Sequence, residues 1–191
     1  MTSIQSLSQT QRLTALGVLS ALATALMYLE LPFVFYNFLR IDLSDVVVLL
    51  VFIFFGAKEG LLVAFVKSSI HFVFPGTNYT AGVGELAAFL ASAAYIGGFY
   101  FATNKLNLKV LLSMVFSVVF MSLLMTFANW LFITPLFGIA LAGEVFPNIF
   151  NPTYITTILS VYIPFNLIKG GIIMAVFYAT YNALKPALNM N

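Results

Sequence analysis

"VYIPFNLIKGGIIMAVFYATY", residues 161–181, decides how this chain is read. The run is long and apolar enough for a helix in a bilayer, which takes roughly 20 residues. It nevertheless carries an amide at Asn166 and an ammonium at Lys169, just after Pro164, which disturbs a helix. A lysine at the centre of a lipid-facing helix costs about 2.5–3.5 kcal/mol on insertion scales, so such groups normally face a bundle interior or a cavity.

The rest of the chain has the same character. Of its 191 residues, 62% are hydrophobic and 7% charged, with a mean hydropathy of +1.05. That leaves too few polar residues to cover a soluble globule. The expectation is one all-α integral membrane domain over residues 1–191, embedded in the lipid bilayer. With no cysteine and the single His71, disulfides, thiolate chemistry and Cys- or His-rich metal sites are excluded. Neither metal nor cofactor is expected. A net charge of +2, thinly scattered, gives no nucleic-acid footprint.

Hydropathy and turn signals divide the chain into six spans, at about Arg12–Leu29, Asp45–Gly56, Leu61–Phe74, Glu85–Ala102, Leu108–Thr134 and Thr156–Leu184. Arg12 before a run containing "ALA" resembles a signal peptide, but its small residues lie mid-run, so the segment reads as a span. "ELPFVFYNFLRIDLSD" before the second span, the "GAKEG" turn at 56–60 and "PGTNYTAGVG" at 75–84 read as connections. Six spans place both termini on one side. Arg12, Lys58, Lys105, Lys109 and Lys185 then fall together and Arg40 falls opposite, beside Asp42 and Asp45, so the positive-inside rule makes both termini cytoplasmic. The long connection 135–155 carries Glu144 and no basic residue.

Measured from the cytoplasmic lysines at 1.5 Å per residue, polar groups recur at one depth. Glu85 lies twenty residues before Lys105, Asn129 twenty after Lys109 and Asn166 nineteen before Lys185, each about 28–30 Å from the inner boundary. Lys169 is one turn deeper on the face of Asn166. Two readings fit. Lys169 and Glu85 could form a buried structural pair with the asparagines as interhelical glue, or the four could line a pocket of the usual mixed apolar and polar kind. Leu31, Phe33, Phe35, Tyr36 and Phe38 would then supply walls as an inward lid, or lie in the interface as an aromatic belt.

Lys67 and His71 share a face four residues apart; a proton relay, pairing with a loop carboxylate such as Asp45, and an outer contribution to the pocket are the alternatives. Along "GVLSALATA", Gly17, Ala21 and Ala25 recur at spacing four, with Ser20 and Ala23 flanking, forming a small-residue face suited to close helix approach. It serves either internal packing or a partner subunit.

Four stretches, "LRIDLSDVVVLL", "GAKEGLLVAFVKSSIHF", "PGTNYTAGVGELAAFL" and "PFNLIKGG", resemble in this order the riboflavin-type substrate-binding S-component of energy-coupling factor (ECF) vitamin transporters. The likeness runs along about the whole chain; Val47 departs from it where a proline commonly follows. It implies the S-component fold of six helices in a bacterial cytoplasmic membrane, an outward-facing riboflavin site, and capture of the vitamin for an ATP-driven importer. Glu85, Asn129, Asn166 and Lys169 match the substrate-binding positions, with Asp45, Lys67, Tyr36 and Thr77 as weaker candidates. Gly17, Ala21 and Ala25 match the face that docks on an ECF scaffold transmembrane subunit, itself bound to two cytoplasmic ATPase subunits. The transported ligand is riboflavin, with FMN or a roseoflavin-like flavin as alternatives. No "GxxxxGK[ST]" occurs, so ATP energy must come from a partner. An intramembrane enzyme built on Glu85 and His71 would need a nucleophile, metal or acid–base pair in mutual reach, for which one His and no Cys leave little, and a self-contained secondary transporter predicts an internal repeat, of which none is convincing between residues 1–95 and 96–191.

Overall fold

The computed structural model describes residues 8–33, 36–75 and 80–187, with the side chains of 31–38 outside that description. Six helices run in order: α1 (Gln9–Tyr28), α2 (Ser44–Phe55), α3 (Ala57–Val73), α4 (Val83–Asn104), α5 (Val110–Ala142) and α6 (Pro152–Ala187). Between α1 and α2 an antiparallel hairpin forms, β1 (Leu31–Phe33) with β2 (Tyr36–Ile41), pairing Leu31 with Ile41 and Pro32 with Arg40. Helices α1, α2 and α3 pack together; α5 lies between α4 and α6, and α3 meets α4 as α2 meets α6.

Among the described residues, α4, α5 and α6 are long and apolar enough to cross a membrane. The expectation of six comparable spans therefore meets helices of two kinds. Helix α2 has 12 residues, about 18 Å against a hydrocarbon core of roughly 30 Å, and every residue from Ser44 to Phe52 is buried. It is a core helix, apolar all round because protein surrounds it.

Several boundaries move for identifiable reasons. Helix α1 begins at Gln9, where Ser8 and Gln11 form a reciprocal capping box. The "GAKEG" turn shrinks to Gly56, whose φ of +116° lets the chain reverse in one residue, so α3 starts at Ala57. The fifth helix, expected to stop at Thr134, continues to Ala142. Its extension uses two π turns, Asn129–Ile133 and Gly138–Ala142, the first closed by the Thr134 N–H donating to Asn129 O five residues back. The loosened ladder accommodates Pro135, which lacks the amide that a regular helix needs. The expected connection 135–155 is thus reduced to 143–151, held where Trp130 Nε1 donates to Ile149 O at 2.8 Å.

Both ends of α1 are tied to α3. Arg12 pairs with Glu59 and donates to Phe55 O at the end of α2, while the Tyr28 hydroxyl donates to Phe74 O. Helices α4 and α5 approach closely at Gly98, where a Cβ would lie 3.0 Å from Ser117 Cα, and Ser117 Oγ donates to Tyr95 O at 2.8 Å. Gly98→Val must push these backbones apart, an overpacking cost of about 1–3 kcal/mol; the expected result is a lower thermal midpoint in detergent, with Gly97→Ala, where a Cβ meets only Phe120 at 3.9 Å, close to wild type.

Candidate functional site

The sequence "DLSD", residues 42–45, leads the chain from β2 into α2 and builds the first polar cluster. Asp42 Oδ1 accepts the Ser44 amide at 3.0 Å and the Ser44 hydroxyl. Its other oxygen meets Lys169 Nζ of α6 at 3.3 Å. Lys67 of α3, fully buried, donates to both Ser44 Oγ and Asp45 Oδ1 at 2.6 Å. Ser92 of α4 donates to the same Asp45 oxygen. Two lysines and two aspartates thus cancel, with α2, α3, α4 and α6 each contributing. Such compensation is what makes buried charge tolerable at all.

Asp42 lies outside the helices. Burial pushes its carboxyl up, but Lys169, Lys67 and the two bonds from Ser44 outweigh burial and hold it at about 2, below the ordinary 3.8. A depressed carboxyl stabilises the fold above the unfolded value and loses that contribution only as the pH falls towards 2. Asp42 is therefore ionised throughout the physiological range.

A second cluster closes the α3–α4 connection. His71 Nδ1 lies 2.7 Å from Glu85 Oε1, Thr80 donates to Glu85 Oε2 at 2.6 Å, and the Tyr28 ring covers His71 at 4.8 Å between centroids. On the other side of the bundle, Asn129 donates to Met125 O at 2.8 Å and accepts from the Thr134 hydroxyl, whose oxygen lies 2.9 Å from the Tyr162 hydroxyl and can accept its proton. Asn166 is different: among the described residues its buried amide nitrogen has no hydrogen-bond partner, and neither have Ser68 Oγ, Tyr95 Oη and Thr126 Oγ1. Leaving a buried polar group unpaired costs about 1–3 kcal/mol.

These positions correct one sequence expectation. Lys169 pairs with Asp42, not Glu85, because "DLSD" folds back against α6 while Glu85 in the first turn of α4 lies next to His71. Lys67 finds Asp45, the pairing weighed from sequence. Glu85, Asn129, Asn166 and Lys169 are all buried, although the bonds just described distribute them among three local groups. Thr77 and the side chain of Tyr36 lie outside the described residues, and with Tyr36 the whole set, Leu31, Phe33, Phe35, Tyr36 and Phe38, that posed the choice between belt and lid. Beyond that set, Leu39 and Ile41 turn inward onto Ile158, Val161, Tyr162 and Phe165 of α6. Of the small-residue face, Gly17, Ala21 and Ala25 are exposed while Leu16, Ser20, Ala23, Thr24 and Met27 face the bundle. Internal packing is therefore not what those three positions serve.

Sequence reasoning missed Asp42 as the counter-charge of Lys169, and Ser92 as a partner of Asp45. Asp42 had been noted only as company for Arg40; the local signal was its spacing of two from Ser44, the pattern in which an Asp side chain accepts its own backbone's amide.

Long apolar helices around buried and partly unsatisfied polar groups define an integral membrane protein with a polar heart. The model of the ECF transporter substrate-specific component matches residues 11–181, and the chain belongs to that family. It is similar to Riboflavin transporter RibU of Staphylococcus aureus (strain TCH60), 32% identical over 190 residues, covering 95% of this chain and 94% of the relative. It is similar also to Riboflavin transporter FmnP of Bacillus subtilis (strain 168), 29% identical over 179 residues, covering 92% and 93%. A solved S component of a bacterial ECF transporter superposes with a TM-score of 0.78 at 30% identity, covering 95% of this chain and 99% of that one.

The ionic cluster makes a direct prediction. Lys67→Met strips Asp45 of its ammonium in a buried setting and is expected to destabilise by about 3–5 kcal/mol. Adding Asp45→Leu removes the orphaned charge and should recover most of the loss, read as the denaturation midpoint in detergent.

Proposed function

We propose that this chain is the riboflavin-binding subunit of an ATP-driven ECF importer, a six-crossing protein of the bacterial cytoplasmic membrane with both termini inside. The observation that carries the reading is the buried Asn166 amide nitrogen, without a partner among the described residues and one turn from Lys169 on the same helix. A buried donor of that kind is satisfied when a solute brings the acceptor. The isoalloxazine edge alternates carbonyl acceptors with an N–H donor, and an asparagine amide, having both donor and acceptor, pairs with it at two points. Lys169 supplies donors only and suits a carbonyl or ring-nitrogen acceptor. The Glu85 carboxyl oxygens supply acceptors and suit a ribityl hydroxyl, retaining lone pairs beyond those used by His71 and Thr80. Asn129 completes the set from α5. Both relatives are riboflavin transporters, matched along nearly their whole length, which supports the same solute.

In this arrangement the hairpin and the connection 143–151 lie on the extracellular side and capture occurs there. The distribution of Arg12, Lys58, Lys105, Lys109 and Lys185 supports that orientation. The exposed Gly17, Ala21 and Ala25 form the face that docks on the scaffold subunit, which brings two ATPases; a Cβ added at Gly17 would meet nothing within 4 Å of its own chain. No catalytic step is assigned to any residue.

Purified protein titrated with riboflavin should quench flavin fluorescence, and Asn166→Ala and Lys169→Ala should each weaken binding by at least tenfold while the protein still elutes as a single species. Unchanged affinity in both variants removes the site. Ala21→Phe should leave binding intact and abolish uptake in cells that supply the partner subunits; loss of binding instead would return α1 to a role inside the bundle.

A further inference from the structure

We infer that Asp42 is the positioning residue for Lys169: it fixes the place and direction of the ammonium that meets the solute. This rests on the proposed flavin site and names the residue on which its charged donor depends. A free lysine side chain is a flexible four-carbon stem with three rotatable donors, and by itself presents no defined direction. In this protein the ammonium is buried and lies 3.3 Å from Asp42 Oδ2.

The carboxylate is itself fixed. Its Oδ1 accepts both the amide and the hydroxyl of Ser44, two residues on, so the plane of the group is set by its own turn and Oδ2 is left facing α6. The hydroxyl is directed in the same way. Lys67 donates to Ser44 Oγ at 2.6 Å, and a hydroxyl that accepts there has one proton, which goes to Asp42. Lys67 in turn is held by Asp45, and Asp45 by Ser92. A chain of charge-assisted bonds therefore runs from α4 through α3 and the start of α2 to the Lys169 ammonium on α6, and it is buried along its length.

The bond to Asp42 uses one of the three ammonium donors and leaves the others for the solute. Asp42 also supplies a counter-ion to Lys169 where the helix itself has none, so the pair together adds no net charge to the bundle.

The test is a double-mutant cycle on the full chain in detergent, read by quenching of riboflavin fluorescence. Asp42→Asn is expected to weaken riboflavin binding at least tenfold when Lys169 is present and less than twofold in a Lys169→Met background, with Asp42→Glu restoring part of the loss. Equal losses in both backgrounds overturn the inference, since a residue that merely supports the fold, or touches the solute itself, acts independently of Lys169. Wild-type protein that binds no riboflavin overturns the flavin site and this inference with it, and is told apart from the former result by the wild-type titration alone. Should Asp42→Asn fail to fold, Ser44→Ala replaces it: a loss of severalfold that disappears in Lys169→Met upholds the inference, and a loss that persists overturns it.

Discussion

The constraint on which this structure depends is that two lysines and two aspartates must be neutralised out of reach of water. No helix does so alone. Lys67 comes from α3, Asp45 and Ser44 from α2, Ser92 from α4, Lys169 from α6, and Asp42 from the turn behind the hairpin. An unpaired charge in this setting would cost several kcal/mol, so the helices have one mutual arrangement in which all four are paired. Apolar packing is non-directional and could not by itself select among nearby helix rotations; the ionic cluster does.

That constraint also explains the two kinds of helix. Helices α4, α5 and α6 have apolar outer faces and buried inner ones, as spans in a bilayer should. Helix α2 is enclosed by the others and supplies the turn whose polar groups the longer helices come to meet. Around it the packing is tight enough that Gly60 could not carry a Cβ without meeting Phe52 at 3.0 Å.

Much of this was legible from the residues. Apolar runs located every helix, and the counts from Lys105, Lys109 and Lys185 found Glu85, Asn129 and Asn166, all of which are buried. The small-residue spacing on α1 was visible too, but periodicity alone could not say which way that face points. What sequence hid was pairing at long range. Asp42 and Lys169 are 127 positions apart, and nothing local marks one carboxylate rather than another as the partner. The hairpin was hidden for a different reason: Pro32 and the clustered polar residues mark a connection, but the pairing of Leu31 with Ile41 has no tight-turn signal in the sequence to announce it. The continuation of α5 beyond Thr134 was hidden because Pro135 and Gly138 ordinarily end a helix, and only the wide turns around them allow it to go on.

Those wide turns alter how length maps onto orientation. A π turn takes up one more residue than an α turn for the same revolution, so beyond Asn129 the spacing rules that relate neighbouring side chains are offset. Removing a single residue between 129 and 133 would restore regular winding over the same revolution and leave the chain leading to Gly138 and α6 near its present azimuth, whereas the same deletion in a regular stretch of the helix would swing it by about 100°. In this segment a one-residue change of length is absorbed by the winding, and comparison of relatives of unequal length has to count turns before it counts residues.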